Sequence, residues 1–421
     1  MTDTRGIVLD ILLENENNGT FINRIINDVL DKYAYLDRRD RAFIGTLASG
    51  TVERRIALDF CIDSFSNAKC GKIKPLIREI LRLSVYQILY MDHVPDSAAC
   101  NEAVKLVSQR HLDGLKGFVN GVLRNIARNK EKIVFPDIET QYSCPKWIYG
   151  VFRRDHGQDA ADIMIKASAD HAPVYLRTDV SCISRDELIK ELKEEGNDAD
   201  KAAFPDCAVI IKDSFNPALS ACFKKGLCTV QDISSQMTCM AAGVKEGMNI
   251  IDMCAAPGGK ATHAAELMNG TGHVSAFDIS DMKTGLIAQN IARLQLKNIS
   301  TGINDATAMD ESLKESADIV IADLPCSGLG VLRRKADLKY RIRYEDIEIL
   351  QSLQRKILTN AVKYVRNGGR LAYSTCTVTK EETSDQALYI EQILGLKKIY
   401  EKQYLQGIDP CDGFYQAVFE K

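Results

Sequence analysis

No run of the 421-residue sequence approaches the roughly 20 consecutive apolar residues needed to cross a bilayer, so no membrane partner is expected. Thirteen cysteines are present, yet no two stand as Cys-x-x-Cys, and the chain starts without a basic-then-apolar signal sequence. These absences point to a soluble protein of a reduced, cytoplasmic compartment, and no metal is expected. Repeats of fixed period and low-complexity segments are missing as well. The formal net charge of −3 gives no global sign of a polyanionic partner, so nucleic-acid binding has to rest on local patches.

What is there is an ordinary globular composition, 45% hydrophobic and 26% charged, in a chain longer than one core normally organises. Two or three domains are expected. Residues 1–134 carry 20 Lys+Arg against 17 Asp+Glu, a net of +3, and the remainder 34 against 40, a net of −6. That asymmetry has the sign of an RNA-binding arm on an acidic body.

Residues 1–134 read as an all-helical bundle, because apolar side chains recur at three-to-four spacing in Ile22, Ile25, Ile26, Val29, Leu30 and again in Ile77, Ile80, Leu81, Leu83, Ile88. Breaks fall at Asn17 to Gly19, Lys69 to Lys74 and His93 to Asp96. Residues 135–228 mix a short alternating run, Val174 to Arg177, with a charged helix candidate, Arg185 to Glu195, and read as a small α+β connector. From 229 to 421 the pattern is strand, glycine turn, helix, strand: Met248–Met253, Ala261–Met268, Val274–Phe277, Lys283–Leu294, Ile319–Ala322. Such alternation predicts a doubly wound α/β domain of Rossmann type.

Three segments carry chemistry. Asn249 to Lys260 reads Asn-Ile-Ile-Asp-Met-Cys-Ala-Ala-Pro-Gly-Gly-Lys, a buried strand running into a small-residue loop and then a helix, which lets backbone approach a ligand closely. A phosphate-binding P-loop would need glycine at Cys254 and Ser or Thr at Ala261, and the dinucleotide pattern Gly-x-Gly-x-x-Gly is absent. Some other adenosine compound remains, and Asp278, closing the next strand 20 residues after Gly258, suits ribose hydroxyls; the alternative is that Asp278 caps the following helix. The second segment, Asp318 to Gly330, delivers Asp323 and Cys326 to a strand's carboxyl end, and the third, Gly368 to Val378, ends its strand at Cys376. The ten cysteines other than Cys254, Cys326 and Cys376 read as small buried hydrophobes.

On these residues the chain resembles the bacterial RsmB/Sun-type ribosomal RNA cytosine-C5 methyltransferases of the wider NOL1/NOP2/Sun group. Asp252 to Lys260 matches the family's cofactor loop, Asp323-Leu-Pro-Cys326 its first cysteine motif and Ser374-Thr-Cys376 its second. The tail Asp412-Gly-Phe-Tyr415 departs from the usual Asp-Gly-Phe-Phe in its last residue. Leu36 to Phe43 and Gly50 to Arg55 look like the helical fold of the antiterminator NusB, an appendage typical of this branch and its 16S ribosomal RNA target.

The resemblance implies S-adenosylmethionine as cofactor, held by Cys254, Ala255, Ala256, Pro257, Gly258, Gly259 and Lys260 at its methionine and sulfonium end, by Asp278 at the ribose and by Asp305 at the adenine, with Asp323 beside it. It also implies that Cys376 is the nucleophile and that Cys326 assists its release. Carbon 5 of cytosine is too electron-poor to attack a methyl sulfonium, so a thiolate first adds at carbon 6. Electron density then builds toward N3, where a protonated Asp323 is the expected donor, and Lys260 is expected to lower a cysteine pKa or contact the base. The basic residues Arg333, Arg334, Lys335, Lys339, Arg341 and Arg343, just after Cys326, are expected to meet RNA phosphates. The expected partner is 16S ribosomal RNA, free or within a small-subunit assembly intermediate, and the expected state a monomer. The competing reading is a non-catalytic RNA-binding or ribosome-assembly factor that keeps a methyltransferase fold as scaffold.

Overall fold

The computed structural model describes residues 3–212 and 215–421 and divides into two compact units. The first is helical and comprises residues up to Arg153 together with Ile165–Asp170 and Leu332–Ile342. The second holds Arg154–Met164, His171–Val331 and Arg343–Lys421.

The helices of the first unit start and stop where the local chemistry dictates. Thr4–Asn18 ends at Gly19, whose φ of 65° is the left-handed conformation glycine adopts without strain. Pro75 sits in the first turn of Pro75–Tyr90, where its missing N–H costs nothing, and Pro95 precedes Asp96–Gln109. The periodic residues Ile22, Ile25, Ile77, Ile80, Leu81 and Leu83 are all buried in one core. No strand occurs among the described residues before Val174.

One part of that unit comes from far along the chain. Helix Ile22–Lys32 has no side-chain cap of its own, since Phe21 cannot supply one. The cap is instead Asp337, 2% exposed, whose carboxylate accepts from the Ile22 N–H at 2.9 Å, Asn15 Nδ2 at 3.1 Å and Arg341 Nε at 2.8 Å. Tyr340 beside it donates to the carbonyls of Glu53 and Ser143, with Arg55 stacked on its ring. Two members of the basic run after Cys326, Lys339 and Arg341, are therefore not free to meet phosphates. Lys339 is buried, Arg341 also donates to the carbonyls of Gly19 and Thr20, and Arg343 pairs with Asp346.

Burial holds Lys339 down to about 8 against the opposing pull of Cys144 and Glu53. An unfolded lysine keeps its proton to about pH 10.4, so between these values the unfolded chain binds more protons and stability rises with pH. Lys339→Met removes the buried charge, so at pH 7 it should stabilise the chain by about 1–3 kcal/mol and lose that advantage by pH 10. Urea unfolding of both proteins at the two pH values measures this; a variant less stable than the parent at pH 7 contradicts it.

The second unit contains two sheets. The connector sheet has β1 (Val174–Thr178), β2 (Ala199–Lys201), β3 (Ala208–Ile211) and β4 (Cys228–Val230) in the order β2-β3-β1-β4, all antiparallel, with helix Arg185–Glu194 opened by a Ser184–Glu187 capping box. The larger sheet has β5 (Asn249–Asp252), β6 (His273–Asp278), β7 (Ile299–Ile303), β8 (Ala317–Asp323), β9 (Val365–Thr375), β10 (Lys397–Tyr404) and β11 (Phe414–Glu420), in the order β10-β11-β9-β8-β5-β6-β7. From β9 to β7 the neighbours are parallel, whereas β11 runs antiparallel to both β9 and β10, so the sheet is mixed at one edge. Both faces are covered, with Ile319 and Ile321 packing into one core and Val320 and Ala322 into the other. Among the described residues no helix is long and apolar enough to cross a membrane.

Candidate active site

The strand order sets the site. Along the carboxyl edge, β9, β8, β5 and β6 are consecutive neighbours, and their ends carry Cys376, Asp323 with Cys326, the loop from Cys254 to Lys260, and Asp278. Because Asp323 and Ser374 are register partners, the two cysteine loops leave the sheet side by side. The sulfur atoms of Cys326 and Cys376 lie 3.3 Å apart, within hydrogen-bonding reach for sulfur. The contact with Cys376, then burial, hold the Cys326 thiol well above its ordinary value.

Lys260 and Asp323 form an ion pair at 2.7 Å, and the other Asp323 oxygen accepts from Ser374 Oγ at 2.7 Å. Asp323, expected as a proton donor, thus faces the Lys260 ammonium on one side and the Ser374 hydroxyl on the other. Burial alone would lower Lys260, but the charge and hydrogen bond of Asp323, with Asp252 behind it, hold it above its ordinary value. Phe414, from the Asp-Gly-Phe tail, presents its ring 5.1 Å from Lys260 Nζ. That tail meets the first cysteine loop where Gly413 N–H donates to the Gly330 carbonyl at 2.8 Å; a Cβ on Gly330 would lie 1.9 Å from the Gly413 oxygen, so no larger residue fits. Beneath the pair, Asp252 is buried with no well-formed hydrogen bond to either oxygen, and burial, then the charge of Asp323, push it up to about 7.

The loop from Cys254 to Lys260 is a cradle of small residues. Gly258 has φ of 105°, a conformation open to glycine and strained for other residues, and it opens helix Gly259–Leu267. Ala255 N–H donates to the Phe277 carbonyl at 2.8 Å and Ala256 N–H to Asp278 Oδ2 at 3.0 Å. Asp278 does not cap the following helix Asp281–Arg293, whose N-cap Ser280 makes no side-chain cap bond either. Its carboxylate supports the loop and pairs with Lys283 at 3.0 Å. Asp305 lies beyond β7, exposed, with one oxygen accepting from Thr307 N–H at 2.9 Å.

Three site residues were not legible in the sequence. Lys283 is one, and Glu382 another. The third is Arg177, 1% exposed, which reaches from the connector sheet to grip Glu266 with two parallel bonds of 2.8 Å and to donate to the Gly259 carbonyl at 2.8 Å. Of the ten cysteines expected to be buried, Cys182 is exposed and Cys207 half-buried; the other eight are buried.

Comparison with known proteins agrees with this fold. Residues 239–414 match the family described as 16S rRNA methyltransferase RsmB/F, residues 2–128 the NusB family, and residues 144–216 the ferredoxin-like domain of RsmF/B-like methyltransferases. A probable ribosomal RNA small subunit methyltransferase B of Bacillus subtilis is 34% identical, covering 91% of this chain and 87% of its own. The ribosomal RNA small subunit methyltransferase B of Proteus mirabilis is 29% identical over 99% of this chain and 98% of its own. Among solved structures, that titled PH0851 superimposes with a TM-score of 0.83 at 23% identity, covering 100% of this chain and 99% of its own, which establishes the fold.

Proposed function

Since the chain belongs to the RsmB/F family of ribosomal RNA small subunit methyltransferases, we propose that it methylates carbon 5 of a cytosine in 16S ribosomal RNA through a covalent adduct on Cys376. The observation that carries this reading is the pair of sulfurs 3.3 Å apart beside the Lys260–Asp323 ion pair, at neighbouring strand ends. S-adenosylmethionine supplies the electrophilic methyl group. Its site is the loop from Cys254 to Lys260, where Ala255, Ala256, Gly258 and Gly259 keep the cradle free of large side chains, with Asp278 for the ribose hydroxyls and Asp305 for the adenine. For Asp278 to take the ribose, its pair with Lys283 at 3.0 Å would have to open.

In the reaction the Cys376 thiolate adds to carbon 6, making carbon 5 an enamine carbon able to take the methyl group. The charge arriving at N3 is met across the Lys260–Asp323 pair, whose ammonium survives burial because of its partner. The proton on carbon 5 passes to a water molecule as Cys376 is expelled as thiolate, which completes the turnover, and Cys326 assists that release. The target base has to be unstacked, at a cost of a few kcal/mol. The protein acts in the cytoplasm as a monomer, on free RNA or on an assembling small subunit.

The test is incubation of the full chain with labelled S-adenosylmethionine and either a 16S transcript or small-subunit particles, followed by bisulfite sequencing. One RNA species should gain 5-methylcytosine. Methyl incorporation on another atom, or none on either RNA, would overturn the reading.

A further inference from the structure

Glu382 follows the second cysteine motif by six residues and is completely buried in a helical turn, Lys380–Glu382. A buried carboxylate is costly without partners, and this one has an unusual set. One oxygen accepts from the backbone N–H of Ser327 at 2.9 Å and from Gln354 Nε2 at 3.1 Å. The other accepts from the hydroxyls of Ser327 at 2.5 Å, Thr379 at 2.9 Å and Thr377 at 3.4 Å. Every one of these donors is uncharged, and the Ser327 and Thr377 hydroxyls also lie 2.7 Å from each other.

The identity of the donors matters more than their number. Ser327 follows Cys326 directly, Thr377 follows Cys376 directly, and Gln354 also donates to the carbonyl of Pro325, which precedes Cys326. The backbone carbonyl of Glu382 in turn accepts from the hydroxyl of Tyr373, on the strand that carries Cys376, at 2.6 Å. One side chain is thus bonded to both cysteine loops at the residues next to the sulfurs.

We infer that Glu382 is a positioning residue that locks the two cysteine loops in register and so fixes the separation of Cys326 and Cys376. This rests on the function proposed above for the cysteines. A carboxylate serves where an amide would not, because both oxygens must accept: the Ser327 N–H and Gln354 Nε2 on one, three hydroxyls on the other. Behind the contact with Cys376 and burial, its negative charge also opposes ionisation of Cys326.

Glu382→Gln preserves volume and replaces one accepting oxygen by a donor, so it is the sharpest test, with Ser327→Ala as a milder variant that removes one hydroxyl bond and leaves the carboxylate in place. In Glu382→Gln the single-turnover methylation rate should fall at least about 30-fold, as expected for sub-ångström misplacement of reacting groups, with S-adenosylmethionine affinity within threefold of the parent. Ser327→Ala should lose about three- to tenfold. The second readout needs no RNA: the pH profile of iodoacetamide alkylation, resolved for each cysteine by peptide mass spectrometry. Cys326 should become reactive at a lower pH in Glu382→Gln than in the parent. Were the wild type to make no methylcytosine while this profile still shifted, the inferred positioning would stand and the proposed reaction would fall. If Glu382→Gln folds and leaves both the rate and the alkylation profile unchanged, Glu382 positions nothing. Equal losses of cofactor affinity and rate, or a Glu382→Gln that does not fold beside a Ser327→Ala of parental rate and profile, would likewise reduce it to a fold-stabilising residue.

Discussion

Cys376→Ala should abolish turnover, a loss of about four orders of magnitude or more, and should leave no protein–RNA adduct. Cys326→Ala should fail differently: Cys376 still attacks, the methyl group still transfers, and the complex then stalls, so a species resistant to denaturing gels accumulates. With the two sulfurs 3.3 Å apart, proximity alone does not assign their roles, and the fate of the adduct in each variant does. Gel mobility of each variant with RNA and S-adenosylmethionine decides the matter, and a trapped adduct in Cys376→Ala reverses the roles.

The second large effect is expected at Lys260. Lys260→Met deletes the cation that faces Asp323 and Phe414 and leaves Asp252 buried near an uncompensated carboxylate. Breaking a fully buried pair costs about 3–5 kcal/mol, but the Asp323 side chain is 34% exposed, so solvent should reduce the stability loss to about 1–3 kcal/mol. The chemical step should suffer more, by about 10²–10³-fold, because a fixed charge opposite developing electron density is lost. Single-turnover methylation beside thermal unfolding measures both. A rate within threefold of the parent would make Lys260 a structural lysine.

What could be read from the sequence was local. The strand, small-residue loop and helix from Asn249 onward, and the cysteines closing β8 and β9, follow from patterns within a dozen residues, and the structure brings them to one edge because β8 and β9 are parallel neighbours. What escaped depends on partners far apart. Arg177 meets Glu266 across 89 residues, and Asp337 caps Ile22 across 315; neither has a signal in its own surroundings. Within the basic run after Cys326, Lys339 and Arg341 misled because composition registers charge and is blind to burial and to partners. Strand β10 was missed for a related reason, since as the sheet's edge it is rich in charge, with Lys397, Lys398, Glu401 and Lys402, and lacks the apolar alternation of a half-buried strand.

The helical unit also has a schedule. Its helices are made before the piece that completes them, since the residue that caps Ile22–Lys32 and the tyrosine that bonds Glu53 and Ser143 lie within Leu332–Ile342, about 180–190 residues after Arg153. At about 5–20 residues per second that is a wait of about 10–40 s. During synthesis the bundle exists without its last piece, exposing the seat of Tyr340 until the chain has been made past the strand bearing Asp323 to Tyr340 itself. Completion of the first unit is thereby tied to translation of the first cysteine motif, and a nascent chain stalled before residue 332 carries an unfinished bundle.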